Sequence, residues 1–228
     1  MKRLKDQKTR SLSSRIWLER QISDPYVARA KRDGFRSRAA YKLAEIDDKF
    51  HVFKEGARVV DLGAAPGGWS EIAARRVGAT EAGNGRVVAL DILDMKPIVG
   101  VEFLKLDFLD DTAPERLKTM LDGGAQGRVD VVLSDMAANA TGHRPTDHLR
   151  IMALAEAAAH FARQVLRPGG SFVCKVLQGG TEAALLAELK RDFLTVKHIK
   201  PPASRSDSAE LYLLARGFRD SGTGQAPG

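Results

Sequence analysis

Short apolar runs rich in β-branched residues alternate with amphipathic stretches from residue 57 onward. The runs have the length and composition of buried strands, and the stretches between them repeat apolar residues at helical spacing. The predicted strands are residues 58–62, 86–91, 101–106, 129–135, 171–177, 194–199 and 210–215. The predicted helices are residues 38–49, 68–77, 113–121, 146–166 and 181–193. This alternation predicts an α/β fold, with a mostly parallel seven-stranded sheet and helices on both faces.

Helix-stop and loop signals, together with the distribution of charge, divide the chain into three predicted segments. Arg-Pro-Gly-Gly at 167–170 is a stop signal for the preceding helix. Residues 200–209 are loop-like, so the last two strands are expected to pair as antiparallel neighbours, with the last strand antiparallel to the sheet. We predict a basic, partly disordered arm at 1–35, a single folded domain at 36–216 and a flexible tail at 217–228.

Composition places the chain in a compartment and excludes some classes of protein. The sequence has 228 residues and one cysteine, Cys174, so a disulfide framework is excluded, a reducing compartment is indicated and a zinc site is disfavoured. No run approaches the roughly 18 apolar residues of a membrane span, and no apolar segment follows the N-terminal charges. We therefore expect a cytoplasmic protein, without a metal, that is a monomer.

The net charge of +7 is unevenly distributed. Residues 1–42 contain 13 Lys or Arg and four Asp or Glu, a net +9, whereas the other 186 residues sum to −2. A basic arm on a nearly neutral body is typical of a protein that binds nucleic acid. A solvated tail that only aids solubility would have the same composition, and charge alone does not separate the two.

A glycine-rich turn follows the first strand and predicts a cofactor site. In Asp61-Leu62-Gly63-Ala64-Ala65-Pro66-Gly67-Gly68-Trp69 the glycines allow close approach of a ligand to the backbone. The spacing matches neither the dinucleotide fingerprint nor the phosphate loop, and no lysine follows to hold a phosphate. The loop therefore favours a nucleoside cofactor without phosphates, such as S-adenosylmethionine.

Acidic residues end the next two strands. Asp91 lies 24 residues after Gly67, where a carboxylate is expected to accept hydrogen bonds from a ribose diol, and Asp107 could accept from an adenine amino group. Each is alternatively an ordinary turn former. Two such acids at successive strand ends behind this loop favour the cofactor interpretation.

Two charged residues interrupt the apolar pattern of the central strands. Asp135 ends the fourth strand, and Lys175 lies inside the fifth, where an unpaired charge is costly. A buried ion pair without chemistry, or a lysine reaching solvent, would also explain them. Glu210 at the start of the last strand and Lys42 on the first predicted helix are further candidates; alone, each is compatible with an exposed surface charge.

Together these motifs resemble the FtsJ/RlmE type of RNA ribose 2′-O-methyltransferase. The resemblance covers residues 36–216 in order: the DLGxAPGGW loop, the Ser-Asp-Met segment at 134–136, the lysine of the next core strand and the S-x-E-x-Y strand. The chain departs from the family at Ala138, where bacterial members commonly have proline, and at 140–142. That departure concerns the shape of the substrate loop and not the chemistry.

The resemblance implies a Rossmann-like S-adenosylmethionine-dependent fold and a function. It implies a catalytic tetrad, which falls on Lys42, Asp135, Lys175 and Glu210. Cofactor contacts fall on Gly67, Trp69, Asp91, Asp107 and Asp135, beside the Gly63 already noted. The implied substrate is a uridine ribose of 23S ribosomal RNA in the large (50S) ribosomal subunit.

A ribose hydroxyl is a poor nucleophile, so a base that removes its proton during attack is expected to accelerate transfer. We hypothesise that Lys175 is this base, that Asp135 and Lys42 orient it and the ribose, and that Glu210 binds Lys42. The predicted RNA contacts, which lie close to Lys42 in sequence, are Arg29, Lys31, Arg32, Arg36 and Arg38.

Three alternatives remain open from the sequence. A family member of this type could act on transfer RNA or on an mRNA cap. A non-catalytic RNA-binding assembly factor would not need the buried Lys175. A nicotinamide-dependent oxidoreductase would need a dinucleotide fingerprint that this chain lacks.

Overall fold

A computed structural model of the protein describes residues 22–79, 83–121, 128–138, 141–178 and 183–220. The helices in these ranges are α1 (Pro25–Asp33), α2 (Ala39–Phe50), α3 (Gly68–Val77), α4 (Ala113–Leu121), α5 (Arg144–Val165) and α6 (Ala183–Asp192). The strands are β1 (Arg58–Leu62), β2 (Arg86–Asp91), β3 (Val101–Lys105), β4 (Val129–Ser134), β5 (Leu166–Leu177), β6 (Phe193–Ile199) and β7 (Glu210–Phe218). Residues 1–21 of the predicted arm and 221–228 of the predicted tail lie outside the described residues.

The strands form one sheet in the order β3-β2-β1-β4-β5-β7-β6. β1 to β5 are parallel, and β7 pairs in antiparallel fashion with both β5 and β6. This confirms the predicted mixed sheet and its antiparallel last strand. β1 lies between β2 and β4, because the chain adds β2 and β3 on one side of β1 and then adds β4 and β5 on the other. This reversal of direction leaves a crevice at the carboxyl ends of β1 and β4.

Side-chain alternation along the strands produces two apolar layers. Val60 and Leu62 pack with α4, α5 and α6 on one face, whereas Val59 packs with α2 and α3 on the other. Cys174 belongs to the first layer, and burial raises the pKa of its thiol to about 12. The expectation that Cys174 is a core residue facing away from Lys175 is therefore confirmed.

Helix α1 was not predicted from apolar periodicity, because only Ala30 of its nine residues is buried. Its boundaries nevertheless carry ordinary helix signals. The Asp24 side chain accepts a hydrogen bond from the Tyr26 amide, Pro25 occupies the first turn, and Gly34 ends the helix with a φ of 78°. Asp24 also pairs with Arg38 and Arg205, which fixes α1 against the folded domain.

Two strand boundaries differ from the predicted ones by more than one residue. Helix α5 ends at Val165, before the Arg-Pro-Gly-Gly signal, but the next strand begins at Leu166 rather than at residue 171. Leu166 pairs with Val129 and Ser171 with Val131, so residues 167–170 form a bulge opposite Asp130. β7 continues to Phe218, which packs in the apolar core, so residues 217–218 of the predicted tail belong to the sheet.

Neither a membrane helix nor a metal cluster is found in the described part of the chain. No helix there is long and apolar enough to cross a membrane; α5, with 22 residues, is interrupted by charges. Within the same residues, no group of three or more His, Cys, Asp or Glu side chains could hold a metal ion.

Candidate active site

A cavity of about 580 Å³ opens at the carboxyl ends of β1, β2 and β4. Gly63 after β1, Asp91 at the end of β2 and Asp135 after β4 line it. Asp107 lines it from the loop after β3. The topology thus brings four of the predicted cofactor residues to one cavity.

The two strand-end acids are turn formers as well as cavity residues. Asp91 accepts hydrogen bonds from the amides of Ala65 and Leu93, both at 2.8 Å, and Asp107 accepts one from the Leu109 amide at 3.0 Å. Each carboxylate oxygen has further acceptor capacity. The turn interpretation and the cofactor interpretation are therefore compatible.

The cavity wall fits a nucleoside. The large apolar side chains of Ile92, Leu93 and Leu109, which line it, are 56%, 62% and 60% exposed. Exposed apolar walls beside fixed acceptors suit an adenine ring and a ribose diol. Burial of such a ligand would cover these side chains, which nothing else in the described structure covers.

Gly63 is required where two loops of the site meet. Its φ is 77°, and a Cβ there would lie 2.8 Å from the backbone N and Cα of Met136. Met136 follows Asp135, so a side chain at 63 would displace the segment that carries this carboxylate.

We expect Gly63→Ala to lower the free energy of unfolding by about 2–4 kcal/mol, from backbone strain and overpacking, and to weaken cofactor binding. Gly34→Ala is the matched control, because Gly34 has a similar φ of 78° but nothing within 4 Å of its Cβ position. Urea unfolding of both variants measures the difference. Equal losses in the two variants would contradict a packing role for Gly63.

Two predicted cofactor residues lie outside the cavity wall. Trp69 is 2% exposed, donates a hydrogen bond to the Ala39 carbonyl and packs on Tyr212 with the ring centroids 5.4 Å apart. Gly67 has a φ of 111°, and a Cβ added there would lie 2.7 Å from Ile98 Cδ1 and 3.0 Å from Arg36 Cδ. The described contacts of both residues are structural; a cofactor contact of the Trp69 backbone or of Gly67 stays a prediction.

The predicted base and its carboxylate form a pair. Lys175 Nζ lies 3.1 Å from Asp135 Oδ1 and donates to the Asp135 backbone carbonyl at 2.6 Å. The Lys175 and Asp135 side chains are only 10% and 19% exposed. Because Asp135 lines the cofactor cavity, this pair lies at its edge.

Lys42 and Glu210 form a second pair, which joins α2 to β7. Lys42 Nζ lies 2.6 and 2.8 Å from the two carboxylate oxygens of Glu210. Burial acts to raise the Glu210 pKa, but the Lys42 charge and hydrogen bonds from Lys42 and Tyr212 outweigh it, and the pKa is lowered. Glu210 therefore stays ionised and holds Lys42 in place.

Tyr212, which our sequence reasoning did not place in the site, connects the two pairs. Its hydroxyl lies 2.6 Å from Glu210 Oε1 and 3.1 Å from Asp135 Oδ1, and it accepts from Lys42 Nζ at 3.1 Å. Burial and the charges of Asp135 and Glu210 raise its pKa well above the ordinary value, so the hydroxyl keeps its proton. The signal was its i+2 spacing from Glu210, which puts both side chains on one face of β7.

Asp61 is fully buried beneath the site and accepts a hydrogen bond from Ser70 at 2.5 Å. Burial raises its pKa to about 7 against the ordinary 3.8; the Ser70 bond opposes this shift, and the charges of Asp135 and Asp91 add to it. The folded protein thus holds a proton that the unfolded chain loses between pH 4 and 7.

The contribution of Asp61 to the free energy of unfolding should therefore fall as pH rises from about 4 to about 7, by up to about 1.4 kcal/mol per pH unit. Asp61→Asn should remove this contribution, whereas the exposed substitution Asp94→Asn should retain it. Urea unfolding at several pH values tests this. The same pH slope in wild type and Asp61→Asn would overturn the assignment.

Three of the predicted RNA residues are exposed on α1. The Arg29 and Arg32 side chains are 52% and 74% exposed and pair with Asp33, and Arg29 also lies over the Tyr41 ring at 4.6 Å. Lys31 is exposed and has no ion-pair partner among the described residues. All three charges remain accessible to a ligand.

The other two predicted RNA residues are engaged within the protein. Arg36 donates to the carbonyls of Lys96 and Pro97 at 2.6 and 2.5 Å. The Arg38 side chain is 14% exposed and bonds to Asp24 and to the Ala203 carbonyl. Composition cannot distinguish these structural arginines from free ones, because the difference depends on which carbonyls and carboxylates the fold brings near them.

The chain is similar to proteins of several bacteria. It is 64% identical over 219 residues to the ribosomal RNA large subunit methyltransferase E of Azorhizobium caulinodans, covering 96% of this chain and 89% of that one. It is 66% identical over 208 residues to the protein of that name from Rhodopseudomonas palustris, covering 91% and 86%.

The chain is also similar to a solved structure and to a family model. A structure named as a ribosomal RNA methyltransferase from Plasmodium falciparum matches with a TM-score of 0.69 and 30% identity, covering 81% of this chain and 98% of that one. Residues 35–218 match the model described as FtsJ-like methyltransferase. The chain therefore belongs to the FtsJ-like methyltransferase family.

Proposed function

We propose that the protein methylates the ribose 2′-hydroxyl of a uridine in 23S ribosomal RNA of the large ribosomal subunit. The observation that carries the proposal is the connected group of two lysine–carboxylate pairs at the edge of a nucleoside-sized cavity. The names of the bacterial relatives support the choice of ribosomal RNA.

S-adenosylmethionine is the methyl donor of this proposal, and the cavity fits it. Asp91 and Asp107 would hold the adenosine as acceptors, with Leu93 and Leu109 against the base and Gly63 allowing close approach. When bound, the cofactor supplies an electrophilic sulfonium methyl group.

Lys175 is the proposed base. A neutral amine has two N–H groups and one lone pair, and Asp135 offers Nζ two acceptors, its backbone carbonyl and Oδ1. With both N–H groups donated to Asp135, the lone pair remains for the proton of the ribose hydroxyl. The 2′-oxygen loses this proton to Nζ as it bonds to the methyl carbon, and the bond from that carbon to the sulfonium sulfur breaks, so that the electron pair stays on sulfur and S-adenosylhomocysteine is the leaving group.

Lys42, Glu210 and Tyr212 are proposed to position this base and the ribose. Glu210 fixes Lys42 at a buried point, where the ammonium donates to Glu210 and to the Tyr212 hydroxyl and places its positive charge beside the ribose site. The Tyr212 hydroxyl has one proton, which it donates to Asp135 or to Glu210. This shared partner fixes the positions of the two carboxylates relative to each other. Because these donors and acceptors are already fixed in place, they need not move as the methyl group is transferred, and the free-energy barrier is lower.

We propose that α1 binds RNA beside the catalytic entrance and that the protein acts as a cytoplasmic monomer. Arg29, Lys31 and Arg32 carry the accessible positive charge of this segment. Residues 1–21, which lie outside the described residues, contain seven more Lys or Arg. Phosphate contacts of this kind make affinity fall with salt.

Replacement of Lys31 and Arg32 by glutamine should weaken RNA binding and lower the slope of log affinity against log salt by roughly 1.4 to 1.8, from two lost phosphate contacts. Filter binding across a salt series measures this. The control variant Arg116→Gln/Lys190→Gln removes two charges from α4 and α6, the helices that pack on the sheet face opposite α2 and α3. It should leave the slope unchanged. A slope equal to that of the control would contradict an RNA contact by α1.

The proposed function is tested by transfer of labelled methyl groups to candidate RNAs. Large subunits from a strain lacking the protein are the expected acceptor, with the label on a uridine 2′-oxygen. Transfer RNA and capped RNA are offered in parallel as the substrates of the alternative family activities. Label on either of these, on a base, or on none would refute the proposal.

A further inference from the structure

A second cavity, of about 430 Å³, lies at the opposite end of the strands from the active site. Its walls come from the α2–β1 loop, from the 167–170 bulge of β5 and from the paired ends of β6 and β7. Ser171 lines it, and Lys175 is four residues along the same strand. The two sites are thus separated by about 13 Å along β5.

Cationic side chains from three separate elements converge on this cavity. Lys54 reaches it from the loop, Arg167 from the bulge, and Arg216 from β7, where it pairs in register with Ser171 and Thr195. Residues paired across adjacent strands share one sheet face, so Arg216 lies in the middle of a polar row across three strands.

The positive charge of the cavity is not balanced within the described structure. Asp130 is the single acidic residue among the described lining residues, and it already pairs with Arg167 and accepts from the Arg58 amide at 2.8 Å. The side chains of Lys54 and Arg216 are exposed and have no hydrogen bond or ion pair with any described residue.

The basic surface continues beyond the cavity. Lys197, two residues after Thr195 on β6, lies over the Phe50 ring at 5.7 Å, and Lys49 lies over the same ring at 5.4 Å. The cationic groups therefore form a band from the bulge of β5 to the end of α2. A band of cations in which Arg167 alone pairs with a described carboxylate, that of Asp130, fits the phosphates of a nucleic acid backbone around its central cleft.

The active-site cavity, by contrast, is lined by Asp91, Asp107 and Asp135, with Arg150 as the single cationic residue among its described lining residues, so its net charge is negative and repels phosphates. We propose that the cleft of Lys54, Arg167 and Arg216 binds the phosphate backbone of the substrate RNA at a position away from the methylated nucleotide. This proposal rests on the proposed function for the identity of the RNA. A large folded RNA would then contact the protein at two places, at the active site and at this cleft, which lie at opposite ends of the strands.

Lys54→Gln/Arg216→Gln is the test variant, because neither side chain has a partner to leave unpaired. Its affinity for protein-free large-subunit ribosomal RNA should be about tenfold weaker than wild type in low salt. The slope of log affinity against log salt should fall by roughly 1.4 to 1.8. Arg116→Gln/Lys190→Gln, with two exposed charges removed from the other sheet face, is the control and should match wild type.

Three results would overturn the proposal. One is an affinity and slope equal to those of the control. The second is an affinity loss that is seen with assembled subunits but not with protein-free RNA, which would identify an acidic ribosomal protein as the ligand. The third is equal weakening in the control, which would mean that only net charge matters. Wild-type methyl transfer to large subunits from the strain lacking the protein tests the proposed function separately, since binding at the cleft is measured without it.

Discussion

Lys175→Ala is expected to reduce methyl transfer at saturating cofactor by at least about a hundredfold, the low end of what a positioned general base contributes. The alanine leaves no group at the site that can take the ribose proton. Affinity for S-adenosylmethionine should stay nearly unchanged, because Lys175 is not among the residues that line the cofactor cavity. Single-turnover transfer and calorimetric cofactor binding measure the two effects separately.

Cys174→Ala is the matched control for this substitution. Cys174 adjoins Lys175 on β5, but its side chain belongs to the opposite apolar layer. Its transfer rate should stay within about twofold of wild type. Residual activity of Lys175→Ala within tenfold of wild type would exclude Lys175 as the base.

Asp135→Asn is expected to lower transfer by about a hundredfold or more and also to weaken cofactor binding. Asp135 Oδ1 accepts hydrogen bonds from Lys175 and Tyr212. An amide nitrogen in its place is itself a donor, so it would face these two donors and both hydrogen bonds would be lost. The backbone carbonyl still binds Lys175, so Nζ keeps one anchor and loses the other. Both effects follow because Asp135 also lines the cavity.

The control for Asp135 is Asp107→Asn. Asp107 lines the same cavity but makes no described contact with either lysine. It should raise the cofactor Kd while leaving transfer at saturating cofactor close to wild type. If Asp135→Asn behaved in the same way, Asp135 would be a cofactor residue only, and its role in orienting Lys175 would be wrong.

The sheet and the site pairs could be predicted because their signals are local. Val-rich runs bounded by turn residues defined the seven strands, and parallel strands deliver their carboxyl ends to one edge. Asp91 ends one such strand, and Asp107 and Asp135 closely follow two others, so their meeting at one cavity follows from the topology. The pairing of Lys42 with Glu210, from distant parts of the chain, came instead from family resemblance.

Features that depend on tertiary neighbours could not be predicted in this way. Arg36 and Arg38 have the composition of an RNA-binding segment, yet the fold places carbonyls beside their guanidinium groups. The bulge at 167–170 and the unpaired Arg216 likewise depend on how β5 meets β4 and β7. Tyr212 has ordinary strand character in sequence, and only the structure shows that its hydroxyl joins the two pairs.

The proposed activity of this protein is methylation of a uridine 2′-oxygen of large-subunit ribosomal RNA. Mapping of 2′-O-methyl groups in total RNA from a strain lacking the protein, complemented with wild type or with Lys175→Ala, tests it most directly. We predict one 23S uridine that loses its methyl group in the deletion strain, regains it with wild type and does not regain it with Lys175→Ala. An unchanged 23S map, or a methyl group lost from transfer RNA instead, would contradict the account.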